Sequence, residues 1–532
     1  MTDELFTKAD LEQMEQLGIG EDEARKQVAT IAKGPRRLVL RRPCTLGDGI
    51  VVLEADDREG LLAKWESAAT EGRLAEFLPA SGAATRMFGF LQRIRKRLDR
   101  VARNKVLEGD NIETSDRHGF KLFINSLADF AFFEPLVQVM AAAGISLQER
   151  LESGDCTEIL EFLLEPQGLN YSSLPKALIP FHRYSDHSRT ALEEHLVEAI
   201  HTVLDGGQRC RVHFTVAPDI EEVVKRHGRA AAASFGQRFG VEYELSFSMQ
   251  SPDTDTLAVD LENRPFRRPD GSLLFRPGGH GTLLQNLNQF EGDIIFIKNI
   301  DNVVTDDHRD FVVQHQRILI GMLLEVQDAI FDCLRLLSSE PAGATDIQNA
   351  LNFVVQRLSV LPPEDLFAWS DAEKVSWLFR LLNRPLRVCG VVIDRGEPGG
   401  GPFWVEDQSG GLSLQVVEKT EIDQSSPEQV AILRASTHFS PVLIACGVGD
   451  FHGRPFNLAE FANPEAVFVA QKTEYGRELK ALELPGLWNG GMAYWNTIFV
   501  EIPEETFNPV KTVNDLLREG HRTSRHGDAV KR

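Results

Sequence analysis

One stretch in the middle of the chain constrains the fold more than any other. Arg276-Pro277-Gly278-Gly279-His280-Gly281-Thr282 is followed by Asp293-Ile294-Ile295-Phe296-Ile297-Lys298-Asn299-Ile300-Asp301-Asn302. A glycine-rich turn lets backbone come close to a flat ligand. The β-branched and aromatic run reads as a buried strand, and it ends in an aspartate and an asparagine. Open α/β sheets bind ligands beyond the carboxyl ends of their parallel strands. A carboxylate there can hold magnesium against phosphates, so nucleotide chemistry is the leading expectation.

The rest of the chain reads as alternating strands and helices around that stretch. Residues 8–33 carry a charged helical pattern. Strands are expected over 37–40 and 49–54, flanking the Gly47-Asp48-Gly49 turn, with a helix over 57–69. A strand into Phe77-Leu78-Pro79 meets the small-residue turn Ala80-Ser81-Gly82-Ala83-Ala84-Thr85-Arg86-Met87. A long helical region then runs to about 164. Strands at 211–216 and 243–248 and a helix at 220–227 follow, and this βα alternation implies a mostly parallel sheet covered by helices. Residues 308–383 read as helical, and a β-rich part begins at 387. Glu397–Pro402 reads as a mobile loop, because three glycines sit between prolines. Strands 403–406 and 412–418 flank Gln408-Ser409-Gly410-Gly411 as a hairpin. The expected organisation is a lead-in over 1–70, a core over 71–385 with a helical insert at about 88–170, a further part of the same domain over 386–517, and a disordered tail over 518–532.

Composition narrows the function. The net charge of −22 argues against non-specific nucleic-acid binding, which needs a basic face. The six cysteines are scattered with no Cys-x-x-Cys, so reduced core thiols are expected rather than a disulfide framework or a zinc site. The start Met-Thr-Asp-Glu has no basic-then-apolar signal, and no apolar run approaches membrane-spanning length. A cytoplasmic protein without a membrane partner is the expectation. The sequence is silent on oligomeric state.

Several side chains could carry chemistry. The turn 81–87 offers backbone amides and a helix N-terminus to a phosphate, with Arg86 placed to neutralise a leaving pyrophosphate. Taken alone it reads equally well as a tight βα turn with a surface arginine. Lys176, after Leu174-Pro175, could grip a transferring phosphate as a point charge, although a single lysine is more often simply exposed. Asp301 must be solvated, paired or metal-bound. Asp306 and Asp307 could join it, but such residues more often cap a following helix. Lys511 follows Pro509 just before a helix. Glu418, at a strand end, can accept two hydrogen bonds from vicinal sugar hydroxyls.

Other chemistries find no support. There is no Gly-x-x-x-x-Gly-Lys-Ser/Thr, no complete dinucleotide fingerprint around Gly447-Val448-Gly449, no His-Glu-x-x-His and no Gly-x-Ser-x-Gly. The histidines read as mostly structural or surface residues.

The segments together resemble a known group. Gly278-Gly279-His280-Gly281 with Phe296-Ile297-Lys298-Asn299-Ile300-Asp301-Asn302 is similar to the P-G-H-G and F-V-x-N-x-D-N segments of UDP-glucose pyrophosphorylases. Pro509-Val510-Lys511-Thr512 with Asp515-Leu516-Leu517 resembles their late P-V-K-T-x-x-D-L-L segment. Gln415-Val416-Val417-Glu418 resembles the V-V-E-Y-S-E segment of UDP-N-acetylhexosamine pyrophosphorylases, and Phe247-Ser248-Met249-Gln250-Ser251 their F-x-Q segment. Ser81-Gly82-Ala83-Ala84-Thr85-Arg86-Met87 with Pro175-Lys176 looks like a degenerate Gly-x-Gly-Thr-Arg-Leu/Met … Pro-Lys signature of sugar nucleotidyltransferases. The islands span about 71–517 in the family's order, and the chain looks like a distant bacterial branch of this UDP-sugar pyrophosphorylase superfamily. It departs from the pattern in two places. The first loop keeps only Gly82, and the helical insert separates Arg86 from Lys176.

The resemblance implies a Rossmann-like nucleotidyltransferase core, GT-A-like, with a mixed sheet and a β-rich C-terminal part. It implies a nucleoside triphosphate, UTP favoured, and a sugar 1-phosphate as substrates, with Mg²⁺ held by Asp301. Arg86, Lys176 and Lys511 would act on the phosphates. Ser81, Gly82, Ala83, Ala84, Thr85, Gln250, Gly279, His280 and Gly281 would bind nucleotide, and Glu418 the sugar. Two alternatives stay open: a glycosyl or phosphoryl transferase on the same fold, and a non-catalytic nucleotide-sugar-binding protein.

Overall fold

A computed structural model describes residues 5–82, 84–98, 100–109, 111–339, 342–407 and 410–523. It is mixed α/β, with a mostly parallel central sheet, covering helices and a β-rich C-terminal part. The chain forms two compact units, each discontinuous in sequence. The first takes the chain up to Phe77, Ser248–Ile297 and Arg317–Glu504; the second takes Leu78–Phe247, Lys298–Gln316 and the chain from Glu505 on.

In the first unit the strands run in the order Thr45–Leu46, Gly49–Val51, Asn496–Glu501, Leu386–Ile393, Leu443–Gly447, Ile294–Lys298, Leu74–Pro79. Ile294–Lys298 lies parallel to Leu74–Pro79, with Ile294 opposite Leu74 and Ile297 opposite Phe77. Asn496–Glu501 is parallel to both Gly49–Val51 and Leu386–Ile393, whereas Leu443–Gly447 is antiparallel to the latter. A strand covered on both faces reads as a continuous apolar run, and Ile294, Ile295, Phe296 and Ile297 are each no more than 1% exposed.

A second, antiparallel sheet joins Val39–Pro43, Gly400–Glu406 and Leu412–Glu418. The expected mobile loop over 397–402 is therefore corrected in its second half. Gly400 pairs with Glu418 and Pro402 with Val416. A Cβ on Gly400 would stand 2.6 Å from Val416 Cγ1, so that glycine serves close strand packing rather than flexibility. Gln408 and Ser409 of the expected hairpin turn lie outside the described residues. The helix expected over 8–33 is two, Lys8–Leu17 and Glu21–Lys33, because Gly18 adopts a left-handed φ of 74° and closes the first.

The second unit holds the helical insert, from Gly89–Arg97 to Thr157–Leu164. The insert has an aromatic core of its own, in which Phe88 at its start stacks on Tyr171 at its end, centroids 5.8 Å apart. The expected disordered tail is also corrected: Glu519–His521 is a 3-10 turn and His521 is buried. Its remainder, 524–532, lies outside the described residues. Among the described residues no helix is long and apolar enough to cross a membrane.

Candidate active site

In the second unit, Asp301 and Asn302 follow the carboxyl end of the Ile294–Lys298 strand and pair with a distant segment of chain. The Val510 amide donates to the Asp301 carbonyl at 3.0 Å. The Asn508 amide donates to Asn302 Oδ1 at 2.8 Å. These bonds bring Lys511 to Asp301, so two motifs far apart in sequence lie side by side. The Lys511–Thr512 turn is itself fixed by Asp515, whose carboxylate accepts from the Lys511 amide at 2.9 Å and the Thr512 amide at 2.6 Å.

Lys176 Nζ donates to Asp301 Oδ2 at 2.5 Å and to the Val510 carbonyl at 2.7 Å; Lys511 Nζ lies 3.5 Å from the same Oδ2. Asp301 is 6% exposed. Burial pushes its carboxyl up, but Lys176 and then Lys511 outweigh burial and hold it below the usual carboxylate range. Burial lowers the Lys176 ammonium, opposed by Asp301, with Lys511 and Arg86 adding repulsion. The result is two cations sharing one carboxylate, a cluster with unspent positive charge.

The turn 81–87 reaches this cluster by backbone pairing. The Lys176 amide donates to the Gly82 carbonyl at 3.2 Å, and the Ala84 amide donates to the Leu174 carbonyl at 3.0 Å. The insert thus leaves at Met87 and returns at Leu174, restoring the neighbourhood that its length had broken. The Ala84 amide is spent on that return, so a phosphate would have to use its neighbours. Ala83 lies outside the described residues. Arg86 closes the short Ala84–Arg86 turn and is exposed, as are Gly82 and Thr85, while Ser81 is half-buried. A Cβ on Gly82 would meet nothing within 4 Å.

Beneath Asp301, His195 Nε2 lies 3.3 Å from the Ile300 carbonyl. It is fully buried, and burial followed by Lys298 pushes it down to about 4, so it is neutral. Lys298 is buried against Glu198 at 2.5 Å. Nothing in the sequence patterns marks these supporting residues.

The first unit carries the other expected residues. His280 stacks on Trp488, ring centroids 4.7 Å apart, and burial lowers it against the pull of Glu483. Its Nδ1 is buried with no hydrogen-bond partner among the described residues. The glycines around it are required by close packing of the protein's own chain. A Cβ on Gly281 would lie 2.5 Å from the Pro485 carbonyl oxygen, one on Gly278 2.7 Å from that of Thr254, and Gly279 has a φ of +76°. Gln250 follows the Glu242–Met249 strand and is half-buried.

A cavity of 350 Å³ opens beside His280, with Glu418, Glu483, Arg37, Thr420 and Phe468 among its walls. Burial, then Glu483, raises the Glu418 carboxyl. Behind them Glu421 accepts from the Glu418 amide at 2.7 Å and from Asn489 Nδ2 at 3.1 Å; burial pushes it up to about 8. Glu483 and Glu421 were not visible as site residues in the sequence, since neither stands in a motif.

A magnesium ion needs oxygen ligands and commonly takes one or two carboxylates plus substrate phosphates. Among the described residues no three His, Cys, Asp or Glu side chains gather as a metal site. Asp301 Oδ2 is taken by the lysines, which leaves Oδ1 as the one ligand this cluster offers. That fits an ion held chiefly by substrate phosphates. Asp306 belongs elsewhere: it opens the Asp306–Leu337 helix and pairs with Arg189 at 2.6 Å and with Arg309.

Among curated proteins none matches the chain. Its fold is similar to the UDP-N-acetylglucosamine pyrophosphorylase of Trypanosoma brucei in complex with inhibitor, at 13% identity and a TM-score of 0.46, covering 96% of this chain and 79% of that one. It is similar to a mutant UDP-glucose pyrophosphorylase of Leishmania major in complex with UDP-glucose, at 12% identity and a TM-score of 0.43, covering 97% and 79%. A UDP-glucose phosphorylase of Trypanosoma brucei gives 12% identity and 0.44, covering 96% and 77%. A family model described as a domain of unknown function, DUF4301, matches residues 7–522, and the chain belongs to that family.

Proposed function

We propose that the protein is a nucleotidyltransferase that forms a nucleotide sugar and pyrophosphate from a nucleoside triphosphate, UTP favoured, and a sugar 1-phosphate. The observation that carries this reading is the sharing of Asp301 by Lys176 and Lys511, with Arg86 close enough to repel Lys176. Two lysines on one carboxylate are poorly neutralised, and a polyphosphate is the ligand that would neutralise them. The motif resemblance supports the same reading, because its phosphate-handling residues are the ones gathered there.

An oxygen of the sugar phosphate attacks the α-phosphorus in line. The bond from that phosphorus to the bridging oxygen of the β-phosphate breaks, and pyrophosphate leaves with the electron pair. A phosphate oxygen is already a nucleophile, so alignment and charge neutralisation carry the rate. Lys176 and Lys511 hold phosphate oxygens in place, and Arg86 faces the departing pyrophosphate. Asp301 would hold Mg²⁺, which would supply charge neutralisation at the phosphates. The Glu418 and Glu483 carboxylates suit hydroxyl groups of a sugar, and the His280–Trp488 stack suits a planar ring.

The test is pyrophosphate release by purified protein with Mg²⁺, each common nucleoside triphosphate and a panel of sugar 1-phosphates. Release that requires one nucleotide and one sugar phosphate establishes the reaction. A transferase of another kind releases no pyrophosphate. The commitment of the Ala84 amide favours one rival, a nucleotide-sugar-binding protein; nucleotide-dependent thermal stabilisation without turnover would select it.

A further inference from the structure

A second cavity shares no residue with the His280 cavity. It measures 740 Å³ and lies within the first unit, where Arg73 precedes the Leu74–Pro79 strand and Asp293 precedes Ile294–Lys298. It therefore opens at the amino ends of two parallel strands, the edge of an α/β sheet that does not ordinarily carry the main site. Small-molecule sites are concave, chiefly apolar and carry a few fixed polar groups, at volumes of about 300–1,000 Å³. This cavity meets that description. Its apolar wall is aromatic, built from Phe290, Phe331, Phe451 and Phe456. Phe451 and Phe456 are braced from behind by edge contacts with Phe379 and Phe461, at 5.9 and 5.4 Å between centroids.

The polar end holds two arginines and three carboxylates, Glu291, Asp293 and Asp450, of which Asp293 is held by Arg73 and Asp450 by Arg454. Arg73 is fixed, its Nε donating to Asp293 Oδ2 at 2.6 Å and one terminal nitrogen to Gln327 at 3.4 Å. Among the described residues its other terminal nitrogen makes no hydrogen bond. Among the described residues Arg335 pairs with Asp332 alone, at 2.6 Å, and both side chains are more than half exposed. Such a surface pair is worth little and exchanges readily for a ligand anion. Gly449 keeps the cavity open. Its backbone is not left-handed, and an added Cβ would meet only the Arg454 carbonyl oxygen at 3.8 Å and Asp293 Oδ1 at 4.0 Å. Neither strain nor crowding requires a glycine there, so the missing side chain is space left for something else.

We propose that this cavity is a second binding site that takes a planar aromatic acid, its ring between the phenylalanines and its anionic group on Arg335 and Arg73. The probe is 8-anilinonaphthalene-1-sulfonate, titrated by fluorescence into the folded full chain, beside N-phenyl-1-naphthylamine, the same ring system without the sulfonate. Saturable binding of one sulfonate per chain is expected. Arg335→Gln should weaken the sulfonate roughly tenfold, the worth of one charge-assisted hydrogen bond, and leave the neutral amine unchanged. Gly449→Leu, which fills the space, should abolish both. Absence of saturable binding to the wild type overturns the proposal. So does equal weakening of both probes by Arg335→Gln, or undiminished binding by a Gly449→Leu variant with an unchanged circular dichroism spectrum. Should Gly449→Leu fail to fold, the surface variant Arg335→Gln decides alone.

Discussion

Lys176 Nζ sits 2.5 Å from Asp301 Oδ2, and the two residues are 125 positions apart in the chain. Their side chains are 12% and 9% exposed, so each charge depends on the other. Deleting one partner of a buried pair costs about 3–5 kcal/mol, because the remaining charge is left uncompensated. Asp301→Ala is therefore expected to lose stability of that order in urea denaturation. Asp301→Asn with Lys176→Met should recover most of it. A lost turnover in Asp301→Ala would mix unfolding with lost phosphate or metal binding. Wild-type stability in Asp301→Ala would show that the pair is not closed off from water.

Glu421 should give the protein a stability that falls in mild alkali. Burial lifts its carboxyl from 4.5 to about 8. Between those values the folded chain holds a proton that the unfolded chain has released, so unfolding releases a proton and stability decreases as pH rises. The contribution is complete below about 4.5 and gone above about 8. Glu421→Gln keeps an oxygen for Asn489 and the Glu418 amide but does not ionise. Melting temperatures from pH 6 to 9 should slope downward in the wild type and lose that component in the variant. Identical slopes would place Glu421 in ordinary solvation.

The acid side is governed by a different cluster, in the second unit. His182 Nδ1 lies 2.9 Å from Glu194 and its Nε2 lies 2.8 Å from Nδ1 of His521. Tyr184, Arg189, Asp306 and Arg309 lie around Glu194, and Arg518 and His308 around His521. Burial, then the neighbouring His182, drives His521 well below 6.5. Burial pushes Glu194 up, but His182, Arg189 and Tyr184 together hold it at about 2. As pH falls below 6.5 the unfolded chain takes up a proton that folded His521 refuses; below 4.5 it takes up another that folded Glu194 refuses. Both effects remove stability as pH falls. His521→Asn should flatten the decline between pH 6.5 and 4.5 while leaving the steeper loss below it. An unchanged profile would remove His521 from the account.

The sequence and the structure agree best where local pattern decides. The apolar run 294–297 could only be a strand buried on both faces, and its terminal Asp301 could only need a partner. Which partner it takes was not legible, because that depends on pairing between Asn302 and Asn508 across the chain. The glycines have a structural reason that no local pattern records. Gly278 and Gly281 read as room for a ligand, and in the structure the Thr254 and Pro485 carbonyl groups make a close approach there. Glu483, Trp488 and His195 carry no motif and become visible only through what they touch. The insert was legible as helical, and the return of its end to Gly82 was the geometric condition that the fold had to meet.

Gly82 is the sharpest remaining test of the phosphate loop. Its Cβ position is empty to 4 Å and its backbone is not left-handed, so alanine fits without cost. Gly82→Ala should change folding stability by no more than about 0.5 kcal/mol, as for a surface substitution. If a polyphosphate lies against this loop, the added methyl group stands where an oxygen must approach. The KM for the nucleoside triphosphate should then rise about tenfold, the equivalent of 1.4 kcal/mol, and the KM for the sugar phosphate should move much less. Arg86→Ala should slow turnover more than it raises either KM, because a charge facing the leaving group acts chiefly in the transition state. Equal and small effects from both variants would move the phosphates off this loop and onto Lys176 and Lys511 alone.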